Sequence, residues 1–202
     1  ASPGTGIDPI VISSQIVMGL QTIVSRSVNI TEDPAIVTVG AIHSGIRQNI
    51  IPESSHMIGT IRTFGVSQRE LVHQRIKDIA TNIAESGGGK ADVTIGTGYP
   101  VTYNNPELVE KMLPTLQGVN GKDRVRVIPA HTGAEDFSFF QQKVPGIFFF
   151  LGTRPDNKKF NEVAGHHTPD FYLDEGHFQV GVKALSSLVV DYMEMAQPKK
   201  KK

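Results

Sequence analysis

A chain of 202 residues, 39% hydrophobic and 20% charged, carries enough apolar side chains for one large core or two small ones, which excludes a disordered protein. Its 20 basic and 20 acidic residues cancel to a formal net charge of zero, so the basic footprint that nucleic-acid binding needs is missing. With no cysteine, disulfides and thiolate metal sites are excluded, and no apolar run approaches the length of a membrane span. Neither nucleic acid nor membrane is therefore an expected partner, and composition leaves the compartment open.

The chain opens on Ala1-Ser2-Pro3-Gly4, which is neither an initiator methionine nor a signal peptide. The expectation is a start inside a larger protein. Asp8-Pro9 supplies an N-cap and a first-turn proline for a helix ending near Ser27, with Ile12, Ile16, Leu20, Ile23 and Val24 on one face. Two Val- and Ile-rich runs, 35–42 and 57–64, read as strands. Ser67 and Glu70 form a capping-box signature for a second helix, whose buried stripe is Leu71, Val72, Ile76, Ile79, Ile83 and Ala84. Gly87-Gly88-Gly89 ends it, and residues 91–95 read as a further strand. The order helix, strand, strand, helix, strand becomes βαββαβ, the split ferredoxin-like unit, once a strand is placed before Ala1.

Beyond Tyr99-Pro100 the character changes, and a seam is expected near 98–103. Asn105-Pro106 caps a third helix that Pro114 should stop or kink. Arg124 to Ile128 reads as a short strand and Glu135 to Gln142 as a helical turn or two. Val144 to Leu151, with three consecutive phenylalanines, reads as a strand buried on both faces. A polar loop over 152–165 leads to a final helix from about Asp174 to Met195, with Phe178, Leu185, Leu188, Val189 and Tyr192 as core candidates. The expected division is residues 1–99, residues 100–196, and a basic tail over 197–202. That tail reads as frayed and solvated, or else as a contact for an anionic surface.

Three groups of residues carry chemistry. His166 and His167 stand in a loop before the last helix; neutral imidazole binds zinc, manganese or nickel, but adjacent side chains diverge, so one of the pair at most is an expected ligand. The alternative is a surface histidine pair. Gly133-Ala134-Glu135-Asp136-Phe137 places acids at a helix start, where they complement the helix dipole or leave free N–H groups for an anion. Asn49, Pro52 and Arg62 belong to the hairpin of the two strands, which is expected to bring Asn49 and Arg62 onto neighbouring stretches that could hold a carboxylate. A surface ion pair for Arg62 is the competing reading. His43 lines the end of the same hairpin.

Taken in order, Gly6-Ile7-Asp8-Pro9-Ile10, Asn49-Ile50-Ile51-Pro52-Glu53, Gly59-Thr60-Ile61-Arg62-Thr63-Phe64, Thr132-Gly133-Ala134-Glu135-Asp136-Phe137, Val144-Pro145-Gly146, Phe149-Phe150-Leu151-Gly152 and His167-Thr168-Pro169-Asp170-Phe171 resemble the metal-dependent amidohydrolases of the aminoacylase and carboxypeptidase type. The nearest branch is that of hippurate hydrolase, N-acyl-amino-acid amidohydrolases and indole-acetyl-amino-acid hydrolases. The resemblance implies an α+β chain. A ferredoxin-like lid lacking its first strand would be followed by the C-terminal half of an α/β zinc-peptidase-like catalytic domain. It implies one or two divalent ions, zinc or manganese, held between domain and lid in the intact protein, with a dinuclear site expected.

By that likeness His167 is a metal ligand and His166 a less favoured one. Asn49 and Arg62 bind the substrate's carboxylate, and Gly133 and Glu135 belong to the pocket wall. The substrate class implied is an N-acyl amino acid or short peptide. The family's Cys-Gly-His-Asp segment, Glu-Glu pair and lid histidine belong upstream of Ala1. The chain alone is therefore expected to hold no catalytic residue, to bind metal weakly or not at all, and to be inactive. The alternative is a non-catalytic assembly module, since lids of this type can pair in a homodimer.

Overall fold

A computed structural model of the chain describes residues 2–196; the basic tail lies outside the described residues. The chain divides into two compact units: Ala1–Val101 with Thr132–Ala134, and Thr102–His131 with Glu135–Lys202.

In the first unit, helix α1 spans Pro9–Thr22 and continues as a π-helical segment over Ile23–Ser27. Asp8 caps it, its carboxylate accepting from the backbone N–H groups of Ile10 and Val11. Strands β1 (Ala35–Ser44) and β2 (Ser55–Thr63) pair antiparallel, from Ala35 opposite Thr63 to Ser44 opposite Ser55, with a bulge between Val39 and Ala41. Helix α2 spans Val66–Ser86. The core gathers Ile16, Leu20 and Ile23 of the first helix with Ala35, Val72 and Ala80, and Val37, Val39, Met57 and Ile61 pack against it. The hairpin thus has an inner face on the helices and an outer face carrying Ile36, Thr38, His56, Ile58, Thr60 and Arg62.

Three sequence expectations for this unit change. The capping box of Ser67 and Glu70 is replaced by a start at Gly65, which has no side-chain cap. Asp33 lies so close to Gly65 that a side chain there would meet its carboxylate. Leu71 is exposed rather than part of the buried stripe. The glycine stop is a Schellman arrangement: the Gly88 N–H donates to Glu85 O and the Gly89 N–H to Ala84 O, with Gly88 at φ +77°. The strand expected over 91–95 is not formed; among the described residues the sheet has two strands. Burial still alternates there, and Ala91 and Val93 touch the core. In a βαββαβ unit the last strand ladders only with the first. With no counterpart of that first strand among the described residues, the alternation has nothing to bond to.

The second unit is built on helices α3 (Pro106–Asn120), α4 (Phe137–Gln141) and α5 (Phe178–Ala196). Asn105 caps α3 through Leu108 N–H, and the helix runs on past Pro114 instead of stopping. The buried Thr115 hydroxyl donates to the Asp191 carboxylate at 2.5 Å, tying α3 to α5. Asn104 donates to Phe148 O at 2.8 Å and accepts from its N–H at 2.6 Å, a side chain acting as a strand partner.

Neither strand expected in this unit is formed: 124–128 follows a 3-10 turn over Lys122–Arg124, and 144–151 is irregular, with Val144 and Phe150 exposed. A strand buried on both faces needs neighbours on both edges, and none is present among the described residues. The same lack reverses the reading of α5. Its packed stripe is Val180, Ala184, Ser187, Leu188 and Asp191, whereas Phe178, Leu185, Val189 and Tyr192, expected in the core, are exposed.

The β1–β2 pairing leaves no room for a side chain at Gly59, where an added Cβ would stand 2.4 Å from Thr38 O. Replacing Gly59 with Ala is expected to lower unfolding stability by about 1–3 kcal/mol, read from chemical denaturation; an unchanged midpoint would contradict the register.

Candidate functional site

Arg62 stands on the outer face of β2, opposite Ile36. Its guanidinium is exposed and has no ion-pair partner among the described residues. That removes the surface salt bridge as its explanation and leaves a free fork of donors suited to a carboxylate. Asn49 is exposed in the loop 45–54 that closes the hairpin. The two do not lie on neighbouring stretches. Arg62 is seven residues along β2 from Ser55, which is about 23 Å at the rise of a strand. The sequence missed this because alternation marks strands but not which end of a hairpin a residue occupies.

Gly133 and Glu135 fall in different units, since residues 132–134 cluster with the first and Glu135 opens the second. Glu135 is half-buried, and its carbonyl accepts from the Ser138 N–H and, at 2.6 Å, from the buried Ser138 hydroxyl. These bonds fix the turn that starts α4. The acids of this turn contribute no side-chain cap to it.

His166 and His167 sit in a tight turn braced by Thr168, whose hydroxyl donates to Gly165 O at 2.7 Å, and by the Phe171 N–H, which donates to Thr168 O. The His166 ring stacks on Phe171, centroids 4.6 Å apart. His167 has φ 63°, the only non-glycine residue with positive φ among those described. A histidine held in the left-handed region carries backbone strain. The two rings therefore differ: one is engaged on an aromatic neighbour, and the other is exposed on a constrained backbone. Phe171, the partner of His166, could have been suspected from the Thr168-Pro169 turn between them. His56 is a residue that no sequence pattern flags; only the strand register sets it opposite His43.

The residues present do not make a metal shell. No group of three His, Cys, Asp or Glu is arranged to hold an ion among the described residues, and a single imidazole falls short of the three or four ligands a zinc site uses. Displaced ionisation marks residues outside the candidate set. Burial, then the Arg69 and Lys77 cations, lower His73, and the hydrogen bond that Lys90 donates to the Asp92 carboxylate raises Lys90. No helix among the described residues is long and apolar enough to cross a membrane.

Residues 7–191 match the model of peptidase family M20/M25/M40. The chain is 33% identical over 193 residues to thermostable carboxypeptidase 2 of Saccharolobus solfataricus, covering 95% of this chain and 48% of that protein. It is 37% identical over 153 residues to N-acetyldiaminopimelate deacetylase of Streptococcus suis, covering 75% of this chain and 40% of that one. Among solved structures it is similar to the YXEP protein of Bacillus subtilis, a dinuclear metal-binding peptidase of the M20 family. The TM-score is 0.68, with 28% identity over 93% of this chain and 47% of that one. The chain spans about half the length of the relatives it matches. It is an α+β chain of a hydrolase family in which divalent metal use is supported, and it belongs to peptidase family M20/M25/M40.

Proposed function

We propose that this chain supplies the carboxylate grip and one metal donor of a hydrolase that cleaves the amide bond of an N-acyl amino acid or short peptide. The single observation that carries this is Arg62, an exposed guanidinium without an ion-pair partner among the described residues, on the outer face of a hairpin. On this reading the first unit is a ferredoxin-like lid lacking its first strand, and the ion in the intact protein is zinc or manganese. Arg62 binds the free carboxylate through two parallel hydrogen bonds, spending binding energy on orienting the scissile amide. Asn49, at the far end of the hairpin, contacts a part of the substrate other than the carboxylate held by Arg62. His167, with its exposed ring, offers the imidazole nitrogen; His166, stacked on Phe171, is the less suited of the pair.

The remaining metal donors and the base that activates water are not supplied by residues 2–196, and no catalytic step is assigned to them. The chain by itself is accordingly inactive. In the full-length protein, replacing Arg62 with Ala is expected to lower kcat/KM for N-acyl amino acids by about 10- to 100-fold, chiefly through KM. Steady-state kinetics that leave KM unaltered would contradict the assigned role.

A second reading, a non-catalytic assembly module, rests on a different observation. No charged residue lies between Asp8 and Arg26, and the outward face of α1 exposes Ile10, Val11 and Met18 around a shallow hollow. The outer face of α2 is by contrast charged, with Arg75, Lys77 and Asp78. Helices that are apolar on both faces are normally covered. The neighbouring β1 is uncharged and, among the described residues, has one edge unpaired, a template for a second strand. Light scattering at micromolar concentrations is expected to show a concentration-dependent homodimer that replacing Met18 with Glu dissociates; a strict monomer would rule the reading out.

A further inference from the structure

The β1–β2 register brings together two residues that the function above leaves unused. His43 and His56 are directly opposite one another, the last pair but one before the hairpin closes. Opposed residues of an antiparallel pair point to the same face with Cβ atoms about 4.5–5.5 Å apart. Both side chains are exposed, and among the described residues neither has a hydrogen-bond or ion-pair partner that would hold its ring away. The frame beneath them is fixed: the Ser44 hydroxyl, one residue on, donates to Ser54 O at 2.8 Å and fastens the two strand ends. Two imidazole nitrogens on such a frame can approach to about 3 Å, the separation of neighbouring ligands on an ion with metal–nitrogen bonds of about 2.0–2.1 Å.

We propose that His43 and His56 form a two-imidazole site for a borderline divalent transition ion, of the copper, nickel or zinc class. The donor set decides the class. Imidazole nitrogen suits these ions, whereas magnesium and calcium require oxygen ligands, and manganese stands at the weak end of the divalent series. Among the described residues no carboxylate joins the pair in a three-residue group, so water completes the shell and the ion exchanges. The ion clips the base of the 45–54 loop, which carries Asn49. That consequence for Asn49 rests on the function proposed above; the binding itself does not.

The test uses nickel(II) alone and the 202-residue chain in which His166 and His167 are both replaced by Ala, so that the other histidine pair contributes nothing. Calorimetric titration at neutral pH is expected to show one equivalent bound. Adding either His43→Ala or His56→Ala should weaken binding at least about 10-fold, because a chelate becomes a single ligand. Thermal unfolding provides a second readout: nickel should raise the midpoint of the parent chain and leave that of the His43→Ala and His56→Ala variants in place. With both side chains exposed, the metal-free midpoints should coincide. Binding unaffected by either change, or dependent on only one of the two, would overturn the site. If the site fails while the Arg62 kinetics hold, the hydrolase reading stands; loss of the Arg62 effect with the nickel site intact strikes that reading alone.

Discussion

The pairing of β1 with β2 is the constraint on which the functional surface of the first unit depends. Side chains alternate across a sheet, so a slip of one residue would exchange the two faces. Here the inner face is held by Val37, Val39, Met57 and Ile61 against the helices, which pins the register to the core. The bulge between Val39 and Ala41 then adds one residue to β1 only, shifting the alternation over its last part. Before the bulge, Ile36 and Thr38 face outward with Arg62 and Thr60; after it, Ala41 and His43 face outward with Ile58 and His56. The core-pinned register therefore turns Arg62 outward, and the bulge sets the two histidines side by side.

Much of the first unit was legible because its signals are local. Asp8-Pro9, the two β-branched runs and the triple glycine each fix an element through near neighbours, and each element forms where those residues stand. What failed there was dependent on distant partners. Ser67 and Glu70 satisfy a local capping rule, yet the chain enters α2 at Gly65, under Asp33. Residues 91–95 keep a strand's alternation without a strand's hydrogen bonds. Of the candidate site, Arg62 and His167 were readable from motif order as candidates only. The separation of Asn49 from Arg62, the strain at His167 and the stacking of His166 were not, since all three are properties of a folded backbone.

The second unit shows the same principle at larger scale. Its sequence describes strands and a helix that cover a sheet, but among the described residues no sheet is present for them to cover. Apolar side chains consequently remain on the surface: Val127 is 92% exposed, Val182 67% and Leu185 60%. The helix packs instead through its narrower stripe on α3, anchored by Thr115 and Asp191. A surface this apolar exceeds what an isolated soluble domain ordinarily shows. This fits a chain that spans about half the length of its relatives, and it is why hydrolysis is proposed for the full-length protein and not for these residues by themselves.

Carboxylate recognition by Arg62 is the centre of the functional proposal, and substrate discrimination tests it most directly. The measurement is kcat/KM of the full-length protein for an N-acyl amino acid and for the same compound with its carboxylate converted to a carboxamide. A guanidinium fork loses its charged acceptor in the second, so a preference for the acid of about 10-fold or more is expected. Equal kcat/KM values for the two compounds would contradict it.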